Sequence, residues 1–169
     1  ADRQDVSFDA FFTHILMHEL MHGLGPHTIT VDGTETTVRQ QLRDTYSTIE
    51  EGKADFSGLW ALHRLIDSGA VDRSLERAIH ATFLASTIRS IRFGINQAHG
   101  RGVAIQLNTL LDTGAVITDP GGTFSVDHTK TRKTVEDLTR RLMMIQARGD
   151  YAAAQEIINT LGVVRPEVQ

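Results

Sequence analysis

His18-Glu19-Leu20-Met21-His22 decides how the rest of the chain reads. Two histidines stand four apart, with a glutamate directly after the first. On an α-helix, positions i and i+4 share one face, a turn apart. Two imidazoles so placed can grip one ion from the same side, most often zinc. The glutamate then projects beside the ion, where it can take a proton from a metal-activated water. The run before it, Phe8-Asp9-Ala10-Phe11-Phe12-Thr13-His14-Ile15-Leu16-Met17, reads as helix with Ser7 as N-cap. Gly23 and Gly25-Pro26 stop that helix, so it is predicted over about residues 8–23. The competing reading packs both histidines in a helical core. It would leave a buried His-Glu-His face with several polar groups to satisfy.

Two histidines do not complete a zinc site. A catalytic site has three protein ligands and keeps one position open. Downstream candidates lie in Glu50-Glu51-Gly52-Lys53-Ala54-Asp55. Glu51 and Asp55 are four apart and share a helical face, whereas Glu50 and Asp55 are five apart and match less well. One carboxylate binds the ion, and an acid one turn later accepts the outer N–H of a ligating histidine, fixing its tautomer. Glu51 is therefore the expected third ligand and Asp55 its supporting acid. Glu50 is a neighbour that hydrogen-bonds or faces solvent. The bland alternative is an acidic first turn favoured by the helix dipole. His14 lies one turn before His18 and is expected to support the site rather than ligate. His27 could line the cleft. His63, His80 and His128 have no companion motif and read as surface or core.

Around this nucleus the chain reads as mostly α-helical with two short β-hairpins. β-Branched residues flank Asp32-Gly33 between Thr28 and Val38, a hairpin signal. Residues 39–44 make a helical turn, and Ser47-Thr48-Ile49-Glu50 has the form of a capping box opening a helix over about 48–67, stopped by Gly69. Further helices are predicted at about 73–93, 95–112, 131–148 and 151–161. Gly100 and Gly102 fall inside the second of these. Each costs up to about 1 kcal/mol against alanine, so either the helix bends there or something approaches its backbone closely. Val116-Ile117-Thr118 and Thr123-Phe124-Ser125-Val126 flank Asp119-Pro120-Gly121-Gly122 as a second hairpin.

The bulk properties bound the function. A length of 169 residues suits one domain, residues 1–169, with a sizeable core. Hydrophobic residues at 40% and charged residues at 22% are ordinary for a soluble protein. A net charge of -4 argues against a nucleic-acid surface. No apolar run approaches the ~20 residues that cross a bilayer. The absence of cysteine removes disulfides and thiolate metal sites and fits a reducing, cytoplasmic setting. The charged start Ala1-Asp2-Arg3-Gln4-Asp5 has no secretory leader, and without Met it suggests a processed chain or a piece of a longer one.

Three spaced motifs, His-Glu-Leu-Met-His, then Glu-Glu-Gly-Lys-Ala-Asp before an apolar helix, then Gln97-Ala98-His99, resemble the dipeptidyl peptidase III family of zinc metallopeptidases. The resemblance implies His18 and His22 as zinc ligands, Glu19 as general base and Glu51 as third ligand. Asp55 takes the place of the family's acid four residues on. His99 matches the histidine held to stabilise the transition state. Most members carry an extra residue in the first motif. They also have Cys-Arg where this chain has Gly52-Lys53, and arginine where it has Val103. Members are longer and two-lobed, with peptide held between a helical metal-bearing lobe and a second lobe. This chain looks like the helical lobe alone, from a bacterial relative, and some relatives are fused to a Nudix-type domain. The leading expectation is a zinc peptidase. The alternatives are a metal-stabilised binding or structural module without peptidase activity, and a zinc hydrolase of a non-peptide amide.

Overall fold

The structure, a computed structural model, describes residues 3–168. Seven α-helices and two hairpins follow in order: α1 (Phe8–His22), β1 (Thr28–Val31), β2 (Thr34–Thr37), α2 (Val38–Leu42), α3 (Tyr46–Asp67), α4 (Leu75–Ile91), α5 (Ala98–Asp112), β3 (Val116–Thr118), β4 (Phe124–Val126), α6 (His128–Arg148) and α7 (Tyr151–Leu161). The expected fold class, mostly α with two short hairpins, is what the chain adopts. No helix among the described residues is long and apolar enough to cross a membrane.

α3 is the axis. Its 22 residues span about 33 Å, and every residue from 52 to 59 is buried. A helix enclosed on all sides needs small residues where its neighbours come closest. A Cβ on Gly58 would lie 3.1 Å from the His18 backbone nitrogen, so α1 packs directly against that point. On another side, a Cβ on Gly102 of α5 would lie 3.1 Å from the Gly52 nitrogen. That close approach, rather than a bend, is why glycine stands in α5. α6 covers a further side with the stripe Val135, Leu138, Leu142 and Ile145, all buried at helical spacing. α4 packs against α1 and α5, and α7 against α5.

α1 is capped as expected, with Ser7 accepting the Ala10 N–H. Its inner face presents Ala10, His14 and His18, one per turn. Its outer face leaves Phe8, Phe12, Leu16 and Leu20 exposed. The first hairpin turns at Asp32-Gly33, both with positive φ (50° and 77°), the backbone that a tight two-residue turn demands.

Helix starts differ from expectation by two or three residues at α3, α4, α5 and α6. The Ser47–Glu50 capping box does not form: α3 starts at Tyr46 with no side-chain cap, because the Glu50 carboxylate is drawn to His22 and Lys53 instead. A capping box stands one element earlier, where Thr37 and Gln40 exchange bonds at the start of α2. α6 begins at His128 rather than Thr131, because Asp127 caps it by accepting the Lys130 N–H.

Candidate functional site

α1 and α3 cross at the glycine contact, and this brings the two acidic and histidine motifs face to face. His18 Nδ1 donates to Asp55 Oδ1 at 2.6 Å. His22 Nδ1 donates to Glu50 Oε1 at 3.0 Å. Asp55 is wholly buried; burial opposes its charge, yet the hydrogen bond from His18 and the neighbouring histidines hold its carboxyl below the usual range. An ionised carboxylate only accepts, so each histidine keeps its proton on Nδ1 and turns an Nε2 lone pair the other way.

Those two Nε2 atoms face each other at 3.0 Å, with ring planes at 87°. Two lone pairs cannot satisfy one another; a proton on one Nε2, which the raised His18 pKa favours, or a metal ion between them does. Glu51 joins them from α3, its Oε2 3.7 Å from His18 Nε2. One donor atom each from His18, His22 and Glu51 lies within 4.8 Å of the other two. Two imidazoles and a carboxylate are a donor set that zinc takes, and three protein ligands leave one position free. The residues present therefore fit the ion.

The surroundings tune these groups. Burial works against charge on His18, but the hydrogen bond and charge of Asp55 outweigh it and raise the imidazole's pKa. The hydrogen bond from His99 holds the Glu51 carboxyl down against partial burial. Glu51 in turn raises the His99 pKa, its Nδ1 donating to Glu51 Oε2 at 3.0 Å. His99 is exposed in the first turn of α5. Glu19 is exposed on α1 between the two histidines. A cavity of about 240 Å³ opens beside the cluster, with Phe11, Ile15, Phe83 and Phe93 as apolar wall and His99 and Gln106 on its polar side.

All seven residues singled out in the sequence (His18, Glu19, His22, Glu50, Glu51, Asp55 and His99) thus lie on α1, α3 and the start of α5. Glu50 is more than a neighbour, since it is the hydrogen-bond partner of His22. His14 supports the site: its Nε2 donates to the Asp55 backbone oxygen at 3.1 Å. His27 lies exposed beyond α1, where its backbone oxygen accepts the Val38 N–H.

Sequence reasoning missed three supporting residues. Lys53 is fully buried, pairs with Glu50 at 2.7 Å, and donates to the Met21 and Leu24 carbonyls at 2.7 and 2.9 Å. Gln106 and Gln146 donate to the two carboxylates from α5 and α6. Lys53 was visible as the cation among Glu50, Glu51 and Asp55, but nothing local marks the glutamines. The three remote histidines also gather. His63 and His80, both buried, meet at 2.7 Å, and His80 meets the half-buried His128 at 2.9 Å, in a row across α3, α4 and α6.

No family model matches the chain. Its fold and sequence do match solved structures. Dipeptidyl-peptidase III from Corallococcus sp. strain EGB superposes with a TM-score of 0.97 at 62% identity, over 99% of this chain and 31% of that one. DPP III from Caldithrix abyssi gives a TM-score of 0.95 at 43% identity, over 98% of this chain and 32% of that one. Nudix hydrolase 3 of Arabidopsis thaliana is 47% identical over 155 residues, which are 91% of this chain and 20% of that protein. The chain thus spans about a third of the solved relatives and a fifth of the curated one.

Proposed function

Because the chain belongs to the dipeptidyl-peptidase III family, we propose that it is the metal-binding helical lobe of a longer zinc peptidase, with His18, His22 and Glu51 as ligands and Glu19 as general base. The observation that carries this reading is the pair of Nε2 lone pairs turned on each other at 3.0 Å with a carboxylate alongside. Zinc held by His18, His22 and Glu51 would supply Lewis acidity, acidifying a water and polarising a carbonyl. Glu19, on the solvent side of α1, takes the proton from the attacking water and returns it to the leaving amine. His99, whose pKa is raised, offers a cationic N–H to the oxyanion that develops on the carbonyl. Asp55 and Glu50 hold the two imidazoles in the tautomer that faces the ion.

The remainder of a peptide cleft lies outside this chain in the reading proposed here. Relatives are about three times longer, and the outer face of α1 exposes Phe8, Phe12, Leu16 and Leu20 in a row suited to a second lobe of the same polypeptide. The Arabidopsis protein is named for another hydrolase chemistry, but four-fifths of it has no counterpart here. A cytoplasmic site of action accords with the cysteine-free chain.

The test uses protein from the complete reading frame, purified without chelator. Wild type is expected to hold about one zinc per chain and to cleave peptides. His22→Ala should lose the zinc. Glu19→Gln should keep it and lose about 10²–10⁴-fold in kcat. Wild type without zinc, or a fully active Glu19→Gln, overturns the reading. Protein that holds zinc and cleaves no peptide would make this a metal-stabilised module instead.

A further inference from the structure

Behind each of the two histidines stands a carboxylate, and behind each carboxylate a buried glutamine from a different helix. Gln106 of α5 donates from Nε2 to Asp55 Oδ2 at 2.9 Å, while Oδ1 of the same carboxylate accepts from His18. Gln146 of α6 donates from Nε2 to Glu50 Oε2 at 2.6 Å, while Oε1 accepts from His22. The two glutamines are 0% and 1% exposed. Each chain of contacts runs glutamine, carboxylate, imidazole, and the two end on nitrogens 3.0 Å apart.

The amides are costly to keep. The side-chain oxygens of Gln106 and Gln146 are both buried without a hydrogen-bond partner. An orphaned buried acceptor is unfavourable, and a leucine or methionine of similar volume would fill either space without it. What the amide supplies is its N–H. A carboxylate has no proton to give, so the amide nitrogen faces it and occupies one oxygen. The other oxygen is then left for the histidine, alone at Asp55 Oδ1 and shared with the Lys53 ammonium at Glu50 Oε1. An amide also does not titrate, so this hold is constant with pH. The arms are unequal. Glu50 is also gripped by Lys53 at 2.7 Å, whereas Gln106 is the side chain that holds the second oxygen of Asp55.

We propose that Gln106 and Gln146 are positioning residues of the metal site, each fixing the carboxylate that orients one gripping histidine, with Gln106 the more important. This rests on the zinc reading above. The expected consequence is on metal affinity, because supporting partners of this kind are worth about 10–100-fold. Leucine removes one orphaned oxygen but also takes the amide from Asp55 Oδ2, so metal-free stability is measured beside affinity to keep the two effects apart.

The experiment measures zinc affinity by competition with a fluorescent chelator, together with thermal stability of the metal-free protein, on the complete polypeptide. Gln106→Leu is expected to bind zinc about 10–100-fold more weakly while the metal-free protein remains folded at the temperature of the titration. Gln146→Leu should lose less, since Lys53 still holds Glu50. The visible spectrum of the cobalt-substituted protein should shift in Gln106→Leu, which a merely structural role would not produce. If Gln106→Leu does not fold, Gln106→Met and Gln146→Leu carry the same comparison. Leucine or methionine variants that bind zinc within about twofold of wild type overturn the proposal while leaving the zinc reading intact. Wild type that binds no zinc overturns both.

Discussion

At the residue scale, Lys53 shows how one side chain can join fold and site. Its ammonium is buried between the Glu50 carboxylate and two carbonyls at the C-terminal end of α1. The Met21 carbonyl lies in the last turn of α1 and the Leu24 carbonyl just past it, so a cation there adds a hydrogen bond to each and meets the negative end of the helix dipole. Glu50 therefore has a positive partner on one side and His22 on the other. Removing one partner of a buried ion pair strands the other charge, at about 3–5 kcal/mol. Lys53→Met is expected to lower unfolding free energy by an amount in that range, read from urea denaturation. Lys53→Arg, the residue the resemblance places here, should keep most of it. A methionine variant as stable as wild type would show that Glu50 is held by Gln146 and His22 alone. Asp55 was legible because four residues from Glu51 means one helical face. The partner of Glu50 was not, because it depends on how α1 crosses α3.

At the element scale, the helix crossings are set by glycines, of which the sequence marked Gly102 as costly but not Gly52 or Gly58. Gly52 and Gly102 face each other across α3 and α5, but they are not equivalent. A Cβ on Gly102 would press to 3.1 Å on the Gly52 backbone nitrogen and 3.4 Å on the Thr48 oxygen. A Cβ on Gly52 would meet Leu142 at 3.5 Å and the Gly102 Cα at 3.9 Å, ordinary contacts. Alanine gains about 1 kcal/mol over glycine inside a helix, and overpacking against rigid backbone costs about 1–3 kcal/mol. Gly52→Ala should thus stabilise by up to about 1 kcal/mol, and Gly102→Ala should be neutral to destabilising by about 2 kcal/mol. Urea midpoints of the two variants decide it, and the reverse order would mean the helices can slide apart. Helix existence was legible throughout from apolar periodicity. Starts were less so, because α3 and α6 begin where a side chain finds a tertiary partner or a cap that the local pattern does not rank.

At the scale of the whole molecule, the row His63–His80–His128 ties three helices together with no motif to announce it, since its members lie far apart in sequence and meet only when α3, α4 and α6 pack. Burial lowers the His63 pKa to about 4, helped by Arg132 and opposed by Glu76 and Asp67. Burial lowers His80 further, to about 2, with the flanking imidazoles of His63 and His128 and the Arg132 guanidinium acting in the same direction. Arg132 is itself fixed by Glu76 and by Asp67 at 2.9 Å, so its charge stays beside the row. Folding therefore needs these imidazoles neutral. The unfolded chain binds their protons at the ordinary value of 6.5 and the folded chain does not. Their contribution is full above pH 6.5 and falls as the pH drops toward 4. With two groups in that window, the loss between pH 7 and pH 5 is about 4 kcal/mol. Urea unfolding of metal-free protein at pH 7, 6 and 5 reads this loss against the opposite contribution of His18 and His99, whose pKa values are raised, and His63→Leu should lose about 2 kcal/mol less than wild type between pH 7 and pH 5 because one proton is no longer taken up on unfolding. An unchanged slope in His63→Leu would place the acid sensitivity elsewhere, with the Asp55 and His14 cluster beside the metal site as the next group to test, since burial lowers the His14 pKa as well.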